Sequence, residues 1–306
     1  MTLDEFVSQG WIEHANDAAG VFARLPEGLP LISEPRHFPA FAALVVHVSG
    51  EHLGRWADGV ALLTKLEHLP AFDAASTEGK SVARSKAILH RCAGNRDEEA
   101  RCFAASRTGG DVTEASDRIR VLAVAAVAFL GQKRLADARR DFEKAVSLAG
   151  YGPTANDPAA RALAVTGNNL ACEFENMAAL TDDERAMMLF AAQVGREFWA
   201  IAGGWMEIER AEYRLAMSHI KAGDPATALT HGHRCLSIVQ ANGSDPGEAF
   251  FAHEAIARAC LAAGDVAASR RERDSMDALL PAIGDESFRA YCAGELAKLD
   301  QVLKGR

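Results

Sequence analysis

No stretch of this 306-residue chain alternates apolar and polar residues long enough to argue a β-strand, and aromatics make up only 7% of it. The sheet-bearing classes are excluded and the expected class is all-α. The longest apolar run, Val121 to Leu130, is ten residues, too short to span a bilayer as a helix. Met1-Thr2-Leu3-Asp4-Glu5-Phe6 lacks the basic start and apolar centre of a signal peptide. Basic excess is missing as well: 33 Lys and Arg against 42 Asp and Glu leave a net charge of -9. That disfavours nucleic acid and anionic membrane surfaces as partners, because both are met through basic patches. The six cysteines show no C-x-x-C spacing and read as small buried residues in a reducing compartment. The expected location is cytoplasmic.

What the chain does contain is ample core material, 49% hydrophobic residues, arranged in a recurring grammar. An apolar run is followed by a turn carrying glycine and then by a second amphipathic run keyed by alanine. It reads Ala-Gly-Asp-Pro-Ala-Thr-Ala from Ala222 to Ala228 and Ala-Gly-Asp-Val-Ala-Ala-Ser from Ala263 to Ser269. Fainter copies place turn glycines at Gly54, Gly94 and Gly131, so the gaps from 54 to 264 are 40, 37, 92 and 41 residues. Since 92 is two periods of 46, one repeat turns without glycine. This is the signature of a helix-pair array, which grows by stacking and usually binds rather than catalyses.

Capping signals punctuate the array. Thr2-x-x-Glu5 and Thr181-x-x-Glu184 match the capping box that opens a helix. Gly223-Asp224-Pro225 ends one helix, caps the next and places proline in its first turn, and Asp245-Pro246 repeats the last two steps. The expected layout is one domain, 1–306. A helical stretch from Leu3 to Leu25 and a Pro/Gly-rich connection fill 1–36, and helix pairs fill 37–280. A polar capping helix lies within 281–306.

Several of these residues resemble the tetratricopeptide repeat. Asn169-Leu170-Ala171 followed by Phe174 is similar to its first-helix motif, and Ala138, Phe142, Ala145 and Leu148 to its second-helix motif. Leu215-Ala216, Gly223-Asp224 and Ala228 supply a third instance. The repeats run longer than the family period and several consensus aromatics are absent. The resemblance implies a right-handed α-α superhelix, a solenoid of about six helix pairs, whose first helices line a concave peptide-binding surface.

On that surface Arg210, Arg214, Met217 and Lys221 share one helix face, being spaced by 4, 3 and 4 residues. Asn169, with Asn168 beside it, sits where the family asparagine contacts a peptide backbone. Arg258 and Lys86 hold equivalent places in their own repeats. The expected site is therefore a locally basic, amide-bearing groove of Lys86, Asn168, Asn169, Arg210, Arg214, Lys221 and Arg258, suited to a carboxylate or acidic peptide. For each residue the competing expectation is an ordinary solvated cation, with Glu207, Glu209 and Glu212 as pairing neighbours.

Catalytic signals fail on context. Ala74-x-x-x-x-Gly79-Lys80-Ser81 fits a permissive phosphate loop, but no strand precedes it and Glu78 would face the phosphates. His253-Glu254 lacks a second histidine one turn on, and His231 and His233 diverge on a helix. No catalytic residue, metal ligand or cofactor is expected. The leading expectation is a non-enzymatic scaffold for a protein or peptide partner. The alternative is a sensor for a small ligand or peptide signal that changes curvature on binding, and self-association into a homo-oligomer competes with both.

Overall fold

The computed structural model describes residues 1–305, and among them the chain is all-α. The helices are α1 (Leu3–Gly28), α2 (His37–Val46), α3 (Trp56–Leu66), α4 (Thr77–Ala93), α5 (Arg96–Ala105), α6 (Glu114–Gly131) and α7 (Leu135–Leu148). After them come α8 (Pro158–Asn176), α9 (Asp182–Ala202), α10 (Trp205–Ala222), α11 (Pro225–Ala241), α12 (Pro246–Ala262), α13 (Val266–Leu279) and α14 (Glu286–Lys304). The chain forms two compact units, 1–163 and 164–306, and the division falls inside α8.

In the first unit α4 pairs with α5 and α6 with α7, while α2, α4 and α6 lie side by side. The second-helix motif of α7 works as spaced: Ala138, Phe142 and Ala145 are fully buried. Burial of a side chain the size of Phe142 stabilises by about 1.5–3 kcal/mol. Pro26, expected in the connection, lies instead inside α1, whose real break is at Asp17 (φ -146°, ψ 66°). The Asp17 carboxylate accepts from the Gly20 N–H at 2.8 Å, so α1 restarts there with its own cap. Its two halves pack on α2: a Cβ at Gly10 would stand 2.7 Å from Leu44, and one at Gly28 would stand 2.7 Å from Phe41.

Gly131 is not the turn glycine that its place in the repeat suggests. It ends α6, and the left-handed position belongs to Lys133 (φ 58°). Glycine is required at 131 because the carbonyl oxygen of Glu51 would lie 2.5 Å from any Cβ there. Gly223, by contrast, does take the left-handed cap (φ 82°) between α10 and α11.

In the second unit α10 pairs with α11 and α12 with α13, and the first helices α10, α12 and α14 are successive neighbours. The turn without glycine joins α8 to α9, and Thr181 opens α9 with the expected capping box. These two helices approach through Gly167 and Gly195: a Cβ on Gly167 would meet the Ala191 carbonyl oxygen at 2.5 Å. The final helix buries Cys292, Leu296, Leu299 and Leu303 against Phe250, Leu261 and Met276, and turns Lys298 and Lys304 outward. Among the described residues no helix is long and apolar enough to cross a membrane.

Candidate functional site

Because α10, α12 and α14 stand in a row, residues far apart in sequence face one opening in the second unit. It is a cavity of about 390 Å³ lined by Asn168, Glu209, Arg210, Tyr213, Arg214, Glu248, Phe251, Phe288 and Tyr291. That is within the usual range for ligand pockets. Four of these are aromatic. The Phe251 ring lies 5.9 Å from Tyr213, 6.0 Å from Phe288 and 6.2 Å from Tyr291, between centroids. Tyr291 is 58% exposed and Phe288 37%, so the wall presents ring surface to the opening.

Three of the residues expected from the sequence, Asn168, Arg210 and Arg214, come together here. Their charges are already engaged. Arg210 donates from Nε to both Glu248 oxygens at 3.2 Å, with Nη2 bonding Oε1 as well. Arg214 donates to Glu175 through Nη1 and to the Asn168 amide oxygen from Nε at 3.4 Å. Burial pushes the Glu175 carboxyl up, against the opposing pull of Arg214 and of Ser218, whose hydroxyl donates at 2.6 Å.

The other expected residues lie off the cavity. Asn169 is exposed, one position around α8 from Asn168, whose amide donates to its oxygen at 3.4 Å. Lys221 donates to the Met177 carbonyl and so holds the α8–α9 turn. Arg258 is bound by Glu254 at 2.6 Å and Glu295 at 3.4 Å. Lys86 belongs to the first unit, where it pairs with Glu67 at 2.7 Å. Of the expected cations, Arg210, Arg214, Arg258 and Lys86 each pair with a carboxylate, and Lys221 is held by a backbone carbonyl. The carboxylate partners of Arg210 and Arg214 stand on other helices, where the spacing along α10 does not reach, whereas Glu254 lies one turn from Arg258 on α12 itself.

The residue with unmet chemistry is Glu209. It is 1% exposed, lines the cavity, and neither carboxyl oxygen has a hydrogen-bond partner among the described residues. Burial, and then the Glu248 carboxylate beside it, push its pKa up to about 9. Burial and the adjoining Glu248 carboxylate thus both favour the neutral acid form of Glu209 in the wall of the aromatic cavity. From the sequence Glu209 reads only as a pairing neighbour of the α10 cations, and no motif there marks Tyr213, Phe251, Phe288 or Tyr291. The available signal was the placement of Glu209 and Tyr213 on the same α10 face as Arg210.

Behind the rings, Tyr213 donates its hydroxyl to Glu254 at 3.0 Å. Burial, and next the Glu254 carboxylate, raise the Tyr213 phenol well above its ordinary range, so it stays a neutral donor. The phosphate-loop look-alike is a helix start: Ser76 caps α4 by accepting from the Gly79 N–H at 3.0 Å, and Lys80 donates to the Thr108 carbonyl at 3.2 Å. Trp199 and Trp205 are half-buried, and neither lines the cavity.

No family model matches the sequence, and no curated protein does. Among solved structures, the chain is similar to the crystal structure of BtubC (BKLC) from P. vanneervenii. The likeness is at 15% identity and a TM-score of 0.47, over 76% of this chain and 91% of that one.

Proposed function

We propose that this chain is a non-enzymatic, tetratricopeptide-like adaptor that binds a peptide segment at the aromatic cavity of its second unit. The observation that carries the reading is Glu209, a buried carboxyl without a partner in the wall of an open cavity. An unsatisfied buried polar group costs about 1–3 kcal/mol, which a donor on a ligand recovers. One kind of side chain answers both the rings and the acid: lysine or arginine. Its aliphatic stem lies along Phe251, Phe288 and Tyr291, its cation gains from the ring faces, and its head donates to Glu209. The Asn168 amide at the rim serves the peptide backbone. This exchanges the acidic peptide expected from the sequence for a basic anchor, because Arg210 and Arg214 already hold carboxylates. The six cysteines are free thiols, four of them buried, which suits action in a reducing compartment such as the cytoplasm.

The test is fluorescence anisotropy with labelled peptides that differ only in a central Lys, Leu or Glu. The lysine peptide should bind tightest. Tyr291→Ala should weaken it about fivefold, the size of one cation–π contact of about 1 kcal/mol. Tightest binding of the glutamate peptide, or equal binding of all three to wild type and Tyr291→Ala, would remove the cavity from the account.

A further inference from the structure

The first unit holds a cluster outside the cavity's chemistry. The segment after α2, His47–His52, is a single turn of π-helix. In an α-helix, residues five apart diverge by about 140° around the axis. A π-turn closes its hydrogen bonds from i to i+5 and so stacks them, and such turns often sit at functional sites. Here it brings His47 and His52 together, with their Nε2 atoms 3.0 Å apart. Facing them from α1 is His14, whose ring centroid lies 4.7 Å from His47 and 5.0 Å from His52. One ring nitrogen from each of the three lies within 4.8 Å of the others.

The far sides of two rings are already committed. His47 Nδ1 lies 2.8 Å from a Glu51 carboxylate oxygen, and His14 Nδ1 lies 2.7 Å from the Trp11 carbonyl oxygen. Each acceptor fixes the proton on Nδ1 and leaves Nε2 unprotonated, able to accept a hydrogen bond or to ligate a metal. Metal-binding histidines almost always use this carboxylate or carbonyl backing. Trp11 also packs its ring on His47, 4.8 Å between centroids, which limits the orientations open to that imidazole.

The π-turn is braced from outside. Gln132 donates to the Glu51 carbonyl at 2.7 Å, the same oxygen that requires glycine at 131. Trp56 donates to the Gly50 carbonyl at 3.2 Å, and the Arg55 N–H to that of Ser49 at 2.7 Å. An irregular turn held at three successive carbonyls keeps its side chains in place.

We propose that His14, His47 and His52 form a binding site for a divalent transition metal of the zinc class, with Glu51 and Trp11 as positioning residues. Tetrahedral zinc with Zn–N bonds of about 2.0–2.1 Å spaces its nitrogen ligands about 3.3 Å apart. The 3.0 Å separation of His47 from His52 fits that spacing, and His14, with a ring nitrogen within 4.8 Å of theirs, completes the set. Three neutral imidazoles suit zinc, copper or nickel rather than magnesium or calcium, which take oxygen ligands. His52 is exposed, so the fourth position opens to solvent.

The experiment uses the full purified chain, stripped with chelator and titrated with Zn²⁺ in competition with a chromophoric chelator. Co²⁺ serves as a spectroscopic probe. One ion per chain should bind at micromolar affinity or tighter, and Co²⁺ should give the intense visible bands of a four-coordinate site with three nitrogen ligands and one solvent ligand. His52→Ala and His14→Ala should each weaken binding by more than about 100-fold. Glu51→Gln should weaken it by about 10–100-fold, the range seen when the group backing a metal-bound histidine is lost. Circular dichroism of each variant separates lost ligation from lost folding. Wild type that binds no stoichiometric Zn²⁺, or folded His14→Ala and His52→Ala chains that bind it as wild type does, would overturn the assignment.

Discussion

Arg210 and Glu248 meet from α10 and α12, with the guanidinium Nε 3.2 Å from both carboxylate oxygens. The pairing joins two successive first helices and commits Nε and Nη2 of the Arg210 guanidinium, the sequence neighbour of Glu209, to Glu248. Burial at 1% exposure and the Glu248 carboxylate beside it both push the Glu209 carboxyl towards its neutral form, which gives the cavity a titratable group.

Stability should therefore fall as pH rises through the neutral range. With a folded pKa near 9 against an ordinary 4.5, the folded chain keeps a proton on Glu209 that the unfolded chain has released. The stabilisation is complete below pH 4.5 and is lost as pH rises towards 9, with a slope from this group of at most about 1.4 kcal/mol per pH unit. Urea denaturation at intervals from pH 5 to 8.5 should show that slope in wild type and a flatter profile in Glu209→Gln. Identical slopes would mean that Glu209 ionises freely.

Glu212 should act in the opposite sense. Its burial favours the neutral acid, but His231 at 2.6 Å and Arg196 at 2.6 Å outweigh that and lower its pKa. Its contribution is present above the ordinary value of 4.5 and is lost as pH falls through the lowered folded value. Arg196→Ala should cost about 1.5–3 kcal/mol at pH 7, the worth of a hydrogen bond to a charged group. The deficit should shrink in acid. A variant equally destabilised at pH 3 and pH 7 would point to lost packing instead.

In the first unit Arg91 grips the fully buried Asp141 with two bonds, 2.6 and 2.8 Å, between α4 and α7. Arg91→Ala leaves that charge short of its main partner and should cost about 3–5 kcal/mol. The double variant Arg91→Met, Asp141→Leu should recover most of the loss, because it removes the stranded charge along with its partner. Additive losses in a double-mutant cycle would contradict the pairing.

Two glycines should respond in opposite directions to alanine. At Gly167 the new Cβ meets backbone at 2.5 Å, so α8 and α9 must separate, at a cost of about 1–3 kcal/mol. At Gly294, inside α14 with nothing within 4 Å, alanine should stabilise by about 0.5–1 kcal/mol through helix propensity. Thermal melts of the two variants check both signs.

Helix starts were legible because the groups that set them are local. Thr2, Thr181 and Asp245 each cap a backbone N–H within three residues, so spacing alone reveals them. The role of Gly131 was not legible, since the atom that requires glycine belongs to Glu51, 80 positions earlier. The π-turn was hidden for a related reason: histidines five apart look divergent until the backbone departs from the α-helix, and His14 adds the third ring from another helix. On α10 the shared face was legible, but the partners of its cations were not. Arg214 and Arg210 are neutralised by Glu175 and Glu248, which lie 39 and 38 residues away. Glu209 looked like one more surface acid because nothing in its neighbours records burial.

The most direct test is the affinity of wild type for the lysine-anchored peptide, measured from pH 6 to 8.5 at constant ionic strength. If the cation draws Glu209 into its ionised form, binding releases a proton and the affinity tightens with pH, by up to tenfold per unit while the pH stays below about 9. The Glu209→Gln chain should show no such dependence. Affinity that weakens with rising pH, or that follows the same curve in wild type and Glu209→Gln, would contradict a cationic anchor held by Glu209.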